Sequence, residues 1–185
     1  MAPWTVTEAA KLLGVPSHRL IHLCEKKVVV PDVQEARGRG SSRQFSNRNL
    51  FDFAVALEMR RLELPVSYVQ AVLRVLRAFE SEARTLLDKF VLPESLLVSD
   101  APRLSLIILD GEQLYLSLAR GGEPPRVFGG VNIRHPKARG RARQHQSVGR
   151  LEPAQAEEAL HGARTRTEID LSRIAQHLGD RLRGA

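Results

Sequence analysis

The first residues whose types could do chemistry lie on a short predicted helix near the start of the chain. Leu20, Leu23 and Cys24 recur at the spacing of a buried helical face. The polar side chains of the same stretch are Ser17, His18, Arg19, His22 and Lys26. Arginine can form two hydrogen bonds with the edge of a guanine, and serine and histidine can donate or accept. These residue types are suited to reading bases in DNA, and an ordinary solvated helix surface is the plain alternative.

A second group of basic residues follows in a glycine-rich loop. The sequence RGRGSS at residues 37–42 lies between a β-branched run and a predicted return strand at residues 43–45. Such a loop has too many glycine and arginine residues to pack, but its charges can lie along phosphates. We therefore predict that Arg37, Arg39 and Arg43 contact phosphates or a minor groove. A loop that only keeps the protein in solution is the alternative.

Local signals predict the elements that must position these groups. Thr7 stands where the N-cap of a first helix is expected, and the Gly-Val-Pro sequence at residues 14–16 should end that helix. A second helix then begins at Ser17, and Ser46 is expected to cap a third over residues 47–63. Two helices on a glycine turn, followed by a basic loop, predict a winged helix-turn-helix. Its candidate DNA-binding residues are Thr7, Ser17, His18, Arg19, His22, Lys26, Arg37, Arg39 and Arg43.

Four stretches of the sequence follow one another in the order of a known domain. EAAKLLGV matches a first helix and turn, VPSHRLIHLCEKKVVVP a recognition helix and its exit, SSRQFS a return strand, and LFDFAVALEMRRLELPVSYVQAVL a following helix pair. Together they resemble the N-terminal DNA-binding domain of the MerR family of bacterial transcription regulators. The resemblance covers residues 4–76 of the 185 in the chain. The chain departs from the family at residues 21–24, which stand in place of an arginine, two aromatic residues and a glutamate, and at Lys27 and Glu63, which stand in place of glycines.

The resemblance implies a transcription regulator that binds double-stranded DNA as a homodimer. We expect it in the cytoplasm and associated with the nucleoid, with RNA polymerase or another regulator as a further partner. Two other classes stay open. An architectural or excisionase-like protein would bend DNA with its wings and with a basic arm, residues 134–150. A protein-interaction module would have lost DNA reading, as the apolar side chains of Ile21 and Leu23 suggest.

The charge balance independently favours a polyanionic partner. The chain has 28 basic and 21 acidic side chains, a formal net charge of +7. The excess is uneven, at +4 in residues 1–50 and +6 in residues 101–150, whereas the other two segments are slightly acidic. Nucleic acid is therefore the first expected partner and a membrane surface the second. No apolar run approaches the roughly 20 residues that span a bilayer, so no membrane insertion is expected.

A second basic segment, residues 134–150, has almost no large apolar side chains and is predicted to be disordered when free. Within it, residues 136–143 resemble an AT-hook, whose Arg-Gly-Arg core lies in narrow A·T minor grooves. The candidate minor-groove contacts of this arm are Lys137, Arg139, Arg141 and Arg143. A merely basic linker is the alternative.

Other chemistry finds no support in the sequence. Cys24 is the only cysteine, which excludes an internal disulfide. The histidines have no metal-ligand spacing, and no nucleophile–base pair, paired carboxylates or phosphate-cradling loop stands out. We therefore expect no metal, no cofactor and no enzymatic activity.

The pattern as a whole predicts an α+β chain, in which the N-terminal winged helix-turn-helix is followed by a small antiparallel β-meander and C-terminal helices. A helix after Pro65 should reach residue 90, a hairpin should turn at Asp110-Gly111, and a third strand should cover residues 126–133. Two more helices are predicted at residues 153–161 and 168–182. The predicted domains are residues 1–78, 79–133, 134–150 and 151–185.

Two routes to useful DNA affinity follow from these predictions. One is pairing of two chains through the helix at residues 79–90 or the helix at residues 169–182, which places two recognition helices on one duplex. For residues 79–90, packing on the C-terminal part of the same chain is an equal alternative. The other is tethering of the basic arm beside the wing, which raises its effective concentration on the same DNA. Pairing is the expected route.

Overall fold

The computed structural model of the protein describes residues 3–34, 42–133 and 148–184. Over these ranges the chain mixes helix and sheet, as the α+β prediction requires. The helices are α1 (Val6–Leu13), α2 (Ser17–Glu25), α3 (Asn47–Arg61), α4 (Val66–Ala83), α5 (Pro153–His161) and α6 (Leu171–Arg183), with a 3-10 turn at Glu94–Leu96. The strands are β1 (Trp4–Thr5), β2 (Gln44–Phe45), β3 (Arg103–Leu109), β4 (Gln113–Ala119), β5 (Arg126–Asn132) and β6 (Arg166–Asp170).

The chain forms two compact units. The first unit is Met1–Gln70 together with Ile174–Ala185, and the second unit is Ala71–Arg173. Most of α6 therefore belongs with the N-terminal helices, which no local signal in the sequence indicates. None of the helices over the described ranges is long and apolar enough to cross a membrane.

Helix α1 begins with a capping box. The Thr5 hydroxyl accepts a hydrogen bond from the Glu8 N–H at 3.3 Å, and the Glu8 carboxylate accepts one from the Thr5 N–H at 2.8 Å. The two bonds satisfy two backbone donors that a helix start leaves open. The prediction of Thr7 as the N-cap is wrong, because Thr5 is the residue that has a glutamate three positions later.

The turn between the first two helices forms as predicted. Gly14 ends α1 in the left-handed conformation with φ 67°, and its N–H donates back to the carbonyls of the last turn. Pro16 is extended, and Ser17 is the first residue of α2. A side chain at Gly14 would be strained by this backbone conformation, so the turn selects glycine there.

Helix α3 forms much of the core of the first unit. Its N-cap is Ser46, as predicted, whose hydroxyl accepts from the Asn49 N–H at 3.2 Å. Its buried apolar side chains are Leu50, Phe51, Phe53, Val55, Ala56, Leu57 and Met59. The predicted end at residue 63 is wrong. The helix ends at Arg61, and Leu62 is 46% exposed because the chain turns at Glu63, which has a positive φ of 57°.

The strand expected before the basic loop is absent from the described part of the chain. Val28 and Val29 are buried in the core without joining a sheet. The return strand β2 forms, but its partner is β1, with Trp4 opposite Phe45. The N-terminal residues thus supply the pairing that the β-branched run was expected to supply.

The second unit contains a four-stranded antiparallel sheet in the order β5-β4-β3-β6. The predicted hairpin and third strand are confirmed, with the turn at Asp110 and Gly111, which both have positive φ. The fourth strand, β6, was missed. It occupies the start of the helix predicted at residues 168–182, which begins at Leu171 instead, and Ile169 pairs with Leu106 of β3.

A β-bulge interrupts the pairing of β4 with β5 between Leu114 and Tyr115. Gly129 lies opposite with φ 123°, and a Cβ placed on it would approach the Leu114 carbonyl oxygen to 2.5 Å. That distance is shorter than van der Waals contact allows, so only glycine fits at this point of the sheet.

Helices cover both faces of the sheet. Ile107, Leu109 and Tyr115 on one face pack with Ala156 of α5. Phe128, on the other face, contacts Phe79 of α4 with ring centroids 5.1 Å apart. The second half of α4 is therefore part of the chain's own core. The predicted extension of that helix to residue 90 is wrong, since it ends at Ala83 and Phe90 folds back to 5.9 Å from Phe79.

The end of the segment predicted to be disordered packs on the sheet. Val148 is buried, Gly149 accepts a hydrogen bond from the Gly129 N–H at 3.1 Å, and Arg150 forms a bridge with Phe128. The predicted linker boundary at residue 150 is therefore too late. The AT-hook-like residues lie outside the described residues.

Candidate nucleic-acid interface

Helix α2 has one buried and one exposed face. Leu20, Leu23 and Cys24 are almost fully buried, as their spacing predicts. Ser17, the first residue of the helix, is half-buried. The exposed side chains of the helix and of its C-cap Lys26 are His18, Arg19, Ile21, His22, Glu25 and Lys26. The candidate base-reading residues therefore share a solvent-facing surface, and each is available to a partner in the folded chain.

Two further residues on that surface were not predicted to contact bases, and Ile21 was interpreted as a sign of lost DNA reading. Ile21 is 36% exposed, and Glu25 follows it one helical turn later. A carboxylate can accept a hydrogen bond from the amino group of cytosine, and an aliphatic side chain can contact the methyl group of thymine. Their helical positions could have revealed both, because they lie away from the three buried residues of the helix.

The start of α1 lies close in sequence to this surface. Thr7 is exposed in the first helical turn. The backbone N–H groups of a first turn attract anions such as phosphate. Glu8 already places a negative charge at this helix start. Hydrogen bonds from the Thr5 backbone N–H and hydroxyl favour its ionised form and lower the pKa of its carboxyl. Thr7 is thus exposed at a helix start that already carries the carboxylate of Glu8.

The two ends of the basic loop meet at a short bridge. The Gln44 N–H donates to the Gln34 carbonyl at 2.9 Å, and the Gln34 N–H donates back at 3.3 Å. This reciprocal pair is the pattern of antiparallel strands. The bridge fixes the loop base. Arg43 is half-buried beside it and has interactions of its own, and Arg37 and Arg39 lie outside the described residues.

The first turn of α3 holds the segment that leads into the loop. The buried Asn49 side chain accepts from the Asp32 N–H at 3.0 Å and donates to the Val30 carbonyl at 3.1 Å. The Asp32 carboxylate in turn accepts from the N–H and hydroxyl of Ser46. The oxygen and the amino group of the buried Asn49 side chain thereby both have hydrogen-bond partners, as buried polar groups require.

The same turn of α3 also holds the N-terminal strand. The Trp4 indole N–H donates to the Asn47 side-chain oxygen at 3.0 Å. The segment before the loop and the N-terminal strand are therefore both fastened to the start of α3. The sequence contains no distinct signal for this network, because all three first residues of α3, Asn47, Arg48 and Asn49, are polar.

The helices α1 and α2 are each held at their C-terminal ends by distant side chains. The Gln70 amide of α4 donates to the Lys26 carbonyl, and the Arg181 guanidinium of α6 donates to the Leu12 carbonyl at 2.8 Å. Such carbonyls lack partners within a helix and need them from elsewhere. The sequence carried no sign of either contact.

Metal chemistry receives no structural support in the part of the chain that the structure describes. There, no three histidine, cysteine, aspartate or glutamate side chains gather in an arrangement that could hold a metal ion. Cys24 is buried in the core of the first unit. The candidate arm residues Lys137, Arg139, Arg141 and Arg143 lie outside the described residues.

No family model matches the chain, and no curated protein matches it.

Proposed function

We propose that the first unit is a winged helix-turn-helix that binds duplex DNA and that the protein regulates transcription. The observation that carries the proposal is the exposed polar face of α2, with His18, Arg19 and His22. The bridge between Gln34 and Gln44 supports it, because it closes the base of a segment whose sequence is basic. The resemblance to the MerR family's DNA-binding domain supports the same function. The proposed fold is completed by α1, which packs with α2 through the glycine turn.

In the proposed complex, α2 enters the major groove and the loop lies along the backbone. Arg19 is the candidate for a bidentate contact with guanine, and His18 and His22 are adaptable hydrogen-bonding partners. Thr7 and the loop arginines would contact phosphates, which position the protein without reading sequence. Affinity should therefore depend steeply on salt, and preference for a site should depend on α2.

The first experiment is a fluorescence-anisotropy titration of random-sequence duplex DNA at several salt concentrations. Arg39→Ala and Arg43→Ala should each lower the salt slope by about 1, since each removes one phosphate contact. Arg103→Ala, an exposed arginine of β3, is the matched control and should leave the slope unchanged. An unchanged slope in both loop variants would remove the loop from the interface.

The second experiment separates reading from positioning. Arg19→Ala should weaken binding to sites selected from genomic fragments by about 1–3 kcal/mol more than binding to random DNA. Equal losses on both DNAs would make Arg19 a backbone contact and favour the architectural, DNA-bending class.

A protein-interaction module is the second candidate function. Ile21, Val30 and Val33 of the first unit expose 36%, 47% and 50% of their surface, respectively. Exposed apolar side chains are common singly, and those that form one contiguous patch would suit a protein partner. If the full chain does not bind duplex DNA even at low salt, the DNA proposal fails and this candidate replaces it.

A further inference from the structure

The C-terminal helix contributes a side chain to the turn between α1 and α2. Arg181 Nη1 lies 2.8 Å from the Leu12 carbonyl oxygen, although the two residues are 169 positions apart in the chain. Ala175 and Leu178 of the same helix are buried. The segment Ile174–Ala185 is accordingly grouped with the N-terminal helices in the first unit. Helix α6 is thus part of the unit that carries the candidate interface.

The guanidinium of Arg181 also covers Gly14. A Cβ placed on Gly14 would lie 3.3 Å from Arg181 Nη1, closer than most such contacts. Gly14 is favoured by its left-handed φ of 67°, and a Cβ there would displace the end of the flexible arginine side chain by a few tenths of an ångström. The arginine and the glycine together define the end of α1.

A cation suits this position. The C-terminal end of a helix carries a partial negative charge, and its last carbonyls have no helical partners. Lysine and arginine side chains that reach those carbonyls donate hydrogen bonds to them and also offset the partial negative charge. Arg181 does so at α1 across the fold, whereas the neutral Gln70 side chain serves the Lys26 carbonyl at the end of α2.

We propose that Arg181 is a positioning residue that holds the α1–α2 turn, and with it the exposed face of α2, in the geometry that binds DNA. The turn sets the direction of α2 relative to α1. A looser turn lets the two helices adopt several angles, of which only some bring Thr7 and Arg19 to the same duplex. The DNA part of this inference rests on the proposed function, whereas the effect on the turn does not.

The turn is tested by amide hydrogen exchange of the full-length protein, followed by NMR. The amides to follow are those of Gly14 and Val15, which donate to carbonyls of the last α1 turn. Arg181→Ala should reduce their protection at least about tenfold, because a charged hydrogen bond to the turn is lost. Arg181→Lys should restore part of it. Arg183→Ala is the matched control, since Arg183 pairs with Asp180 at 2.6 Å within α6.

Equal protection in the Arg181→Ala and Arg183→Ala proteins would overturn the proposal. Loss of protection throughout the first unit would also overturn it, since Arg181 would then support the whole unit and not the turn. These outcomes are decided without DNA, so they stay informative if the proposed function fails.

DNA titrations then test the consequence for binding. Arg181→Ala should reduce the preference for selected sites over random DNA at least about threefold and leave the salt slope unchanged, because a positioning residue neutralises no phosphate. A slope lower by about 1 would identify Arg181 as a phosphate contact and overturn the positioning role. An unchanged preference, with the turn loosened, would limit the role of Arg181 to the turn and overturn its link to DNA. Failure of the unaltered protein to bind duplex DNA would instead overturn the proposed function.

Discussion

At the scale of single residues, the start of α1 depends on a reciprocal pair. Thr5 and Glu8 satisfy each other's groups, and the hydrogen bonds lower the pKa of the Glu8 carboxyl. A carboxyl whose pKa is lowered by folding stabilises the fold above its unfolded pKa. That stabilisation is lost as the pH falls through the folded pKa.

We expect Thr5→Ala to raise the pKa of Glu8 part of the way to its ordinary value. The variant removes the hydroxyl contact but keeps the Thr5 backbone N–H, which is the larger cause of the shift. It should also weaken the loss of stability on acidification. Carbon-detected NMR titration of the Glu8 carboxyl measures the shift, with Thr5→Ser as the control that keeps the hydroxyl. A Glu8 pKa that is the same in all three proteins would contradict the capping box.

A second prediction at this scale concerns Ile21, whose side chain is 36% exposed on the proposed recognition face. The C5 methyl group of thymine is the main apolar group in the major groove. If Ile21 contacts it, replacing thymine by uracil in a selected site should weaken binding about fourfold, the value of one buried methyl group. Ile21→Ala should bind the two DNAs equally. If the unaltered protein binds the thymine and uracil sites with equal affinity, Ile21 contacts no thymine methyl group.

At the scale of elements, the sheet of the second unit is shaped by its bulge. Gly129 and Gly111 both have a positive φ, but a Cβ on Gly129 meets the Leu114 carbonyl oxygen at 2.5 Å, whereas a Cβ on Gly111 meets no atom within 4 Å. At Gly129, with φ 123°, backbone conformation and lack of space both oppose a side chain, whereas at Gly111, with φ 67°, only the backbone conformation does.

Gly129→Ala should therefore lower the free energy of unfolding more than Gly111→Ala. Gly111→Ala should cost about 1–2 kcal/mol, the strain of a left-handed residue. Gly129→Ala should cost at least about 3 kcal/mol, because the neighbouring strand must also move. Thermal unfolding followed by circular dichroism compares them. Equal losses would indicate that the sheet relaxes around the bulge.

At the same scale, the two apolar faces considered for pairing are buried within the chain itself. Phe79 and Phe90 pack with each other, and Phe79 packs with Phe128 of the sheet. Ile169 lies in β6, and Leu171 and Leu178 of α6 are buried. Pairing of two chains through either face would first require these residues to leave the core of their own chain.

At the scale of the whole molecule, we therefore expect the free protein to sediment as a monomer at micromolar concentration. The two apolar faces that suggested a dimer are covered within the chain, and their exposure would cost about 1.5–3 kcal/mol for each large side chain. Sedimentation velocity over a range of concentrations measures this. A dimer would instead support the pairing that the family resemblance implies.

Monomeric protein would leave the basic arm as the route to useful affinity. Replacing Lys137, Arg139, Arg141 and Arg143 by glutamine keeps the length of the segment and removes four positive charges. If all four meet phosphates, the salt slope should fall by about 3 to 4. The control replaces His145 and His177 by glutamine, which changes no formal charge. An unchanged slope would make residues 134–147 a linker.

Most features that depend on neighbouring residues could be predicted from the sequence, although the N-cap of α1 was assigned to Thr7 and is Thr5. The glycine turn at Gly14, the Ser46 cap and the Asp110-Gly111 hairpin were all correct, because capping and positive φ are decided within a few residues. The buried and exposed faces of α2 were correct for the same reason, since helical periodicity is local. The residues proposed to meet DNA thus follow from the sequence.

Features that depend on distant partners were decided only by the tertiary structure. Strand β6 forms because β3 offers it an edge, and its own residues 166–170 are too polar and too few to show it. The Arg181 contact with Leu12 joins segments that no local pattern relates. Hydrogen bonds and packing between remote segments depend on the folded path of the chain. The sequence therefore determined the side chains of the candidate interface, and the tertiary structure determined what holds them in place.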